Sequence, residues 1–171
     1  MRLASLVAIL LAVSATALAY TTPGSGVRWT LDDLVAQSGG AVTANGLNQY
    51  SVHESVVIAV SDTLEIDRET LVVFTTSTPG HELDVHGALL ARFATFTDEN
   101  WQPGGWYGIR FRDTGPGSAL VLEHCTIKCA RNAVDVVYDD IELLRCTIRR
   151  SLEKAIDLTG AGGVIRECTI E

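Results

Sequence analysis

The sequence predicts an all-β fold, a parallel β-helix headed by a short capping helix, and three observations carry that prediction. Cys-Thr-Ile occurs at Cys125-Thr126-Ile127, Cys146-Thr147-Ile148 and Cys168-Thr169-Ile170, in steps of 21 and 22 residues. A second column, Ile109-Arg110-Phe111, Val134-Asp135-Val136 and Ile156-Asp157-Leu158, runs through the gaps in steps of 25 and 22. Beyond residue 40 no stretch has a helical period, and short apolar runs alternate with turn residues instead. A fixed period in this range marks stacked units that bury their apolar faces only against one another.

Residues 1–19 read as a secretory signal peptide. Met1-Arg2 is a short basic start, Leu3 to Val13 is nearly all apolar, and Ala17-Leu18-Ala19 fits the small-x-small rule for cleavage before Tyr20. The apolar run is shorter than the roughly 20 residues a bilayer span needs, so no membrane insertion is expected after cleavage. The expected location is secreted or at the cell surface, the periplasm included.

Residues 20–49 form a lead-in with the capping helix. Tyr20 to Arg28 is polar and turn-rich. Thr30 to Ala36 then reads as a helix, with Thr30 as N-cap and Asp33 as its capping-box partner. Asp32 and Asp33 suit the positive end of the helix dipole, and Gly39-Gly40 ends it. Leu31, Leu34 and Val35 share one face, which fits a lid over the first turn of the coil.

Residues 50–171 supply the rungs. Apolar runs such as Leu71–Phe74, Leu89–Phe96, Leu120–Ile127, Ile141–Ile148 and Val164–Ile170 are separated by turn signals at Pro79-Gly80, Pro103-Gly104-Gly105, Gly115-Pro116-Gly117 and Gly160 to Gly163. A β-sandwich also has short strands and frequent turns, but it does not explain matched tripeptides at a fixed step. Within the period from Cys125 to Arg145, Cys125 with Ile127, Val134 with Val136, and Ile141 with Leu143 are inward pairs by the two-residue pleat. Stacked copies then place Cys on Cys and Ile on Ile. The last rung, ending Cys168-Thr169-Ile170-Glu171, has no capping sequence. That suggests either further coils in a longer protein or end-to-end self-association.

The formal charge of −8 comes from acids scattered along the chain, which argues against nucleic acid and anionic membrane surfaces as partners, since both want clustered Lys and Arg. Of the four cysteines, Cys125, Cys146 and Cys168 fall at one phase and Cys129 does not. That phase favours stacked free thiols over bridges, although rungs about 4.8 Å apart are within disulfide range. His53, His81, His86 and His124 are dispersed with no metal-ligand spacing, and no metal or cofactor is expected.

Several segments look like the secreted bacterial right-handed parallel β-helix proteins of the pectin-lyase-like superfold. His86-Gly87-Ala88-Leu89-Leu90-Ala91 resembles their V-x-G-x-L-x-A coil, Gly105-Trp106-Tyr107-Gly108-Ile109-Arg110-Phe111 their G-W-x-G-I-x-F coil, and the Cys-Thr-Ile steps their N/C-x-I rung. Asp62 to Ile66 followed by Leu71 to Phe74 resembles their first coils, and Trp29 to Val35 their capping segment. The resemblance covers residues 29–171 and implies a right-handed coil. It implies little about activity, because the superfold hosts lyases, hydrolases, adhesins and scaffolds.

Chemistry is sparse. Asp135 and Asp157 share an outward phase one rung apart, with Arg110 in the same column. Paired carboxylates could serve a retaining glycosidase or hold calcium, but a solvated, charge-paired face is the reading favoured in an acidic protein. Asp139-Asp140 matches half of a polygalacturonase-like acid set whose Asn-x-Asp, Gly-His-Gly and Arg-x-Lys companions are absent, so a turn is preferred. Lys128, Arg149 and Arg150 follow the Cys-Thr-Ile steps and are expected to solvate turns. Trp101, Trp106 and Tyr107 flank Pro103-Gly104-Gly105; a core-edge anchor is favoured over a sugar-stacking platform.

The expected protein is thus a single-domain, all-β right-handed parallel β-helix (solenoid) with a short N-terminal capping helix. Its expected role is a non-catalytic extracellular scaffold or carbohydrate-binding module with polysaccharide as partner. The alternative is a polysaccharide lyase or glycoside hydrolase with active residues partly beyond Glu171.

Overall fold

The computed structural model describes residues 19–67, 69–78, 80–114 and 118–171; the leader falls almost wholly outside these, as do Pro79 and the Gly115-Pro116-Gly117 turn. The chain winds as a parallel β-solenoid of about five turns. A leading partial turn holds β1 (Tyr20–Thr21), β2 (Arg28–Trp29), α1 (Leu31–Gln37), β3 (Val42–Gly46) and β4 (Gln49–Val52). Then come β5 (Val56–Ile58), β6 (Thr63–Ile66) and β7 (Leu71–Phe74), followed by β8 (Glu82–Val85), β9 (Ala88–Arg92) and β10 (Thr95–Asp98). The third turn has β11 (Gly108–Phe111), β12 (Leu120–Glu123) and β13 (Thr126–Lys128). The fourth has β14 (Asn132–Val137), β15 (Asp140–Leu144) and β16 (Thr147–Arg149), and the fifth β17 (Lys154–Thr159), β18 (Gly162–Arg166) and β19 (Thr169–Ile170).

Like strands pair across turns. Sheet A runs β1-β5-β8-β11-β14-β17, sheet B β2-β6-β9-β12-β15-β18, and sheet C β3-β4-β7-β10-β13-β16-β19. Among the described strands every pairing is parallel except the β3–β4 hairpin. Both tripeptide columns superimpose. Thr126, Thr147 and Thr169 are in register, and so are Ile109, Val134 and Ile156. The inward residues form a dry interior in which Ile109, Ile127, Val134, Val136, Leu143 and Ile148 are fully buried. Each turn contributes one thin apolar layer, so the core exists only through stacking.

The lead-in carries more strand than its polar sequence suggests, because strands of two residues such as β1 and β2 leave no periodic signal. Asp62 holds this segment down. Its buried carboxylate accepts the backbone N–H groups of Gly24 (2.9 Å), Gly26 (2.9 Å) and Val27 (3.1 Å). The capping helix is built as its sequence predicts. Thr30 and Asp33 cap each other, the Thr30 N–H donating to Asp33 Oδ2 (2.8 Å) and the Asp33 N–H to Thr30 Oγ1 (3.2 Å). Leu31 and Leu34 are buried over the first coil, and half-buried Val35 packs against the same cluster.

The corners between sheets B and C differ from expectation. The runs Leu89–Phe96, Leu120–Ile127, Ile141–Ile148 and Val164–Ile170 each break at one residue in the left-handed region. These are Phe93, His124, Arg145 and Glu167, with φ between 52° and 55°. Their N–H groups still bond upward: Phe93 to Glu123 O (3.0 Å), His124 to Leu144 O (2.9 Å) and Arg145 to Arg166 O (2.9 Å). A single left-handed residue therefore turns the chain without interrupting the ladder. Aromatic and charged side chains seldom adopt this conformation, so nothing in the sequence marks the bend.

All four cysteines are free thiols; Cys125, Cys129 and Cys146 are buried and Cys168 is half-buried. Cys125, Cys146 and Cys168 stack at the sheet C edge, their Sγ atoms reaching Ala91 O, Leu122 O and Leu143 O of the turn before at 3.4, 3.2 and 3.5 Å. A hydrogen bond that the Cys146 thiol donates to Cys125, together with burial, pushes the Cys146 thiol up.

Candidate functional site

The outward row of sheet A holds the residues singled out from the sequence. Arg110, Asp135 and Asp157 are register neighbours on β11, β14 and β17. Arg110 lies between two carboxylates, 3.1 Å from Glu82 Oε2 and 3.5 Å from Asp135 Oδ2. Asp157 pairs with Lys154 on its own strand. Just after β11, Arg112 grips Asp84 of the preceding rung through Nε (3.2 Å) and Nη2 (2.8 Å), with His86 Nε2 3.3 Å from the same carboxylate. Burial holds Glu82 above the usual carboxylate range against the pull of Arg110.

The cleft between Glu82, Tyr107, Gly108, Arg110, Asn132 and Asp135 has a volume of about 10 Å³. That is space for a single water. A retaining hydrolase needs two carboxyl groups facing one scissile bond. Here each candidate acid faces a cation instead, and no sugar ring fits between them. The row can stiffen the face and set its charge pattern; it offers no site for acid–base chemistry.

The remaining candidates are scattered. Asp139 accepts a hydrogen bond from Thr114, and Asp140 opens β15, so the pair sits at the sheet A to sheet B corner. His53 bonds Thr43 (2.9 Å) and His124 stacks on Phe93 at 4.9 Å. His81 is buried, which lowers its pKa. Among the described residues no three His, Cys, Asp or Glu side chains gather closely enough to hold a metal ion. No helix of the described residues is long and apolar enough to cross a membrane.

The three aromatics around Pro103-Gly104-Gly105 separate. Trp106 is fully buried, stacks on Phe74 at 4.1 Å and donates its Nε1–H to Lys128 O (2.8 Å). It is a core anchor. Tyr107 accepts a hydrogen bond from Arg131 Nη1 (3.1 Å), and that guanidinium lies 5.0 Å from the ring centre. Trp101 projects outward, 48% exposed, with Lys128 Nζ 4.8 Å from its ring centre.

Trp101 forms one wall of a groove of about 430 Å³ whose other walls are Lys128, Arg149, Arg150 and Glu171. The solenoid assembles it from four places in the chain. Lys128 ends β13 and Arg149 ends β16, in register on neighbouring rungs. Glu171 follows β19 in the same column, and Arg150 occupies a left-handed corner at φ 59°. Trp101 also has positive φ, 56°, in the loop between β10 and β11. An exposed indole beside an open groove can stack on the apolar face of a sugar ring, and the surrounding cations can bind its polar edge.

No protein-family model, curated protein or solved structure matches this chain. What it can do therefore rests on the geometry alone. Trp101 and the cations lie far apart in the chain. Adding one period to Lys128 gives Arg149, and adding another gives Glu171; that sum is the signal that would have joined them.

Proposed function

We propose that this chain is a secreted, non-catalytic extracellular scaffold with a polysaccharide-binding face, wound as a right-handed parallel β-helix of the pectin-lyase-like type found in bacteria. Three long sheets with stacked interiors make a rigid rod, and a rod is suited to presenting a lateral face to an extended polymer. The observation that carries the reading is Trp101, exposed at the wall of an open groove of about 430 Å³. The charge-paired row of sheet A supports a scaffold over a lyase or hydrolase, since Arg110 and Lys154 already occupy its acids.

The test is retention on a panel of neutral and acidic glycans, followed by tryptophan fluorescence on titration with any glycan retained. Binding should quench the wild type, and Trp101→Ala should lose affinity about tenfold, in line with an aromatic contact worth 0.5–1.5 kcal/mol plus its buried area. Failure on every glycan would reduce the reading to a plain scaffold.

A second reading, self-association through the last turn, is favoured by the exposure of Leu158, Val164, Ile165 and Ile170 on β17 to β19. It predicts concentration-dependent oligomers in sedimentation; a monomer at all concentrations would remove it.

A further inference from the structure

The outer faces of the three sheets differ in kind. Sheet A presents the charged row Asp84, Arg110, Asp135 and Asp157, and sheet C the hydroxyl row Thr95, Thr126, Thr147 and Thr169. Sheet B presents Leu90 and Val121 in direct register at its centre, Leu144 in the next outward column, and Val164, 42% exposed, on the last rung. Parallel sheets are ordinarily covered on both faces. An apolar centre rimmed by charge marks a contact surface. Leu90 and Val121 line a groove of about 260 Å³, and its rim carries Arg28 and Arg92. Each of these holds a carboxylate, Glu65 at 3.0 Å and Glu123 at 3.2 Å.

The charges on this face complement themselves. One outward column runs Glu65, Leu90, Val121, Glu142 and Val164, and beside it runs Arg92, Glu123, Leu144 and Arg166. A two-fold axis lying along the strands between β9 and β12 keeps each column over itself and reverses the order of the rungs. Leu90 then faces the partner's Val121, and Arg92 faces the partner's Glu123. Each contact occurs twice, as an isologous interface requires. Glu65 meets the partner's Glu142, and Arg28, with its side chain 71% exposed beside Glu65, supplies the cation between them. Glu142 holds no ion pair of its own among the described residues. An axis along the solenoid would set Leu90 against the partner's Arg92, or Arg92 against the partner's Ala88, and leave the charges unmatched.

We infer that two copies of this chain associate side by side and antiparallel through sheet B, with Leu90 and Val121 at the centre and a four-membered Arg92–Glu123 network beside them. The sheet is six strands deep, about 24 Å at roughly 4.8 Å per rung. A face of that size buries a total near the low end of specific interfaces, about 1,200 Å². The dimer is therefore weak and reversible. It leaves sheet C and the Trp101 groove open on each copy and needs neither a polysaccharide nor the last turn.

The experiment is sedimentation equilibrium of the full chain across the micromolar range, with a thermal melt of every variant. The wild type should pass from monomer to dimer and stop there, because the axis closes the assembly. Leu90→Asp combined with Val121→Asp should weaken dimerisation about tenfold or more. Its melting temperature should hold, since both side chains point away from the core. Arg92→Glu and Glu123→Arg should each be monomeric alone, because like charges then face each other across the contact. Mixed in equal amounts, these two variants should dimerise again, since every acid then faces a base. Their side chains are 64% and 29% exposed, so they carry the test if the apolar double variant misfolds. Ile170→Asp, in the last turn, should change nothing. A wild type that is monomeric at every concentration overturns the inference, and so does a mixture of the charge variants that stays monomeric. Growth beyond the dimer overturns it as well. Association that is lost in Ile170→Asp and kept in the sheet B variants also overturns it and assigns the contact to the last turn.

Discussion

Trp106 lies flat on Phe74, with ring centres 4.1 Å apart and planes 12° apart. The indole enters the core from the loop joining sheet C to sheet A, and Phe96 lies beyond it at 6.5 Å. This stack locks one coil onto the next at the point where the Trp101 loop departs. Trp106→Ala should cost about 3–5 kcal/mol, the range for deleting a buried large aromatic. Trp106→Phe keeps the stack and loses the bond to Lys128 O, so it should cost about 1–2 kcal/mol. Urea unfolding followed by circular dichroism measures both, and equal losses would show that the ring packed on Phe74 contributes nothing.

Gly108 has φ 122°, and a Cβ there would lie 1.7 Å from Asn132 O on the next rung. Neither backbone can yield without opening sheet A. Gly108→Ala should therefore destabilise by more than about 3 kcal/mol, beyond the 1–2 kcal/mol of an unfavourable dihedral alone. Gly26, with φ 75° and nothing within 4 Å of its Cβ position, isolates the dihedral cost. Gly26→Ala should lose about 1 kcal/mol. A thermal melt in which the two variants agree would contradict the steric account.

Asp62 gives the fold an acid-sensitive fastening. Its burial would raise the carboxyl pKa, but the bonds from Thr22, Gly24, Val27 and Gly26 outweigh that and hold it below the ordinary value of 3.8. A lowered pKa in the folded state stabilises above the unfolded value, and that contribution fades as pH falls from about 4 toward the folded pKa. Asp62→Asn should lose about 1–3 kcal/mol at pH 7, since the amide brings donors to a site that supplies only donors. The gap between variant and wild type should narrow below pH 4. Denaturant unfolding at pH 7 and pH 3 checks the sign, and a gap that widens in acid would refute it.

The thiols should react in order of burial. Under native conditions a disulfide-exchange reagent should modify Cys168, which is half-buried, and leave Cys125, Cys129 and Cys146 protected. In denaturant all four should titrate. Fewer than four in denaturant without reductant would reveal a bridge between rungs.

The stacking was legible because the period is written in residue identity. Cys-Thr-Ile and the Ile109, Val134 and Ile156 column specify the register by residue identity alone, and the Thr30–Asp33 capping box specifies the lid. The bends at Phe93, His124, Arg145 and Glu167 were not legible, since no Gly or Asn announces them and the apolar alternation runs on through each corner. The site was half legible. Asp135, Asp157 and Arg110 were found in one column, but whether a carboxylate is free or held depends on Glu82 and Lys154, whose side chains only the fold brings near. Trp101 and Trp106 look alike in sequence, and the loop sends one out and the other in.

Because the ladders join each coil to the next, the backbone bonds point along the rod. Tension applied at the β19 end loads them a few at a time, so the molecule should peel open like tape, releasing about one period of 21 or 22 residues per event. Tension across the rod meets three sheets whose bonds must shear together. The same architecture is thus soft to an axial pull and stiff to a lateral one.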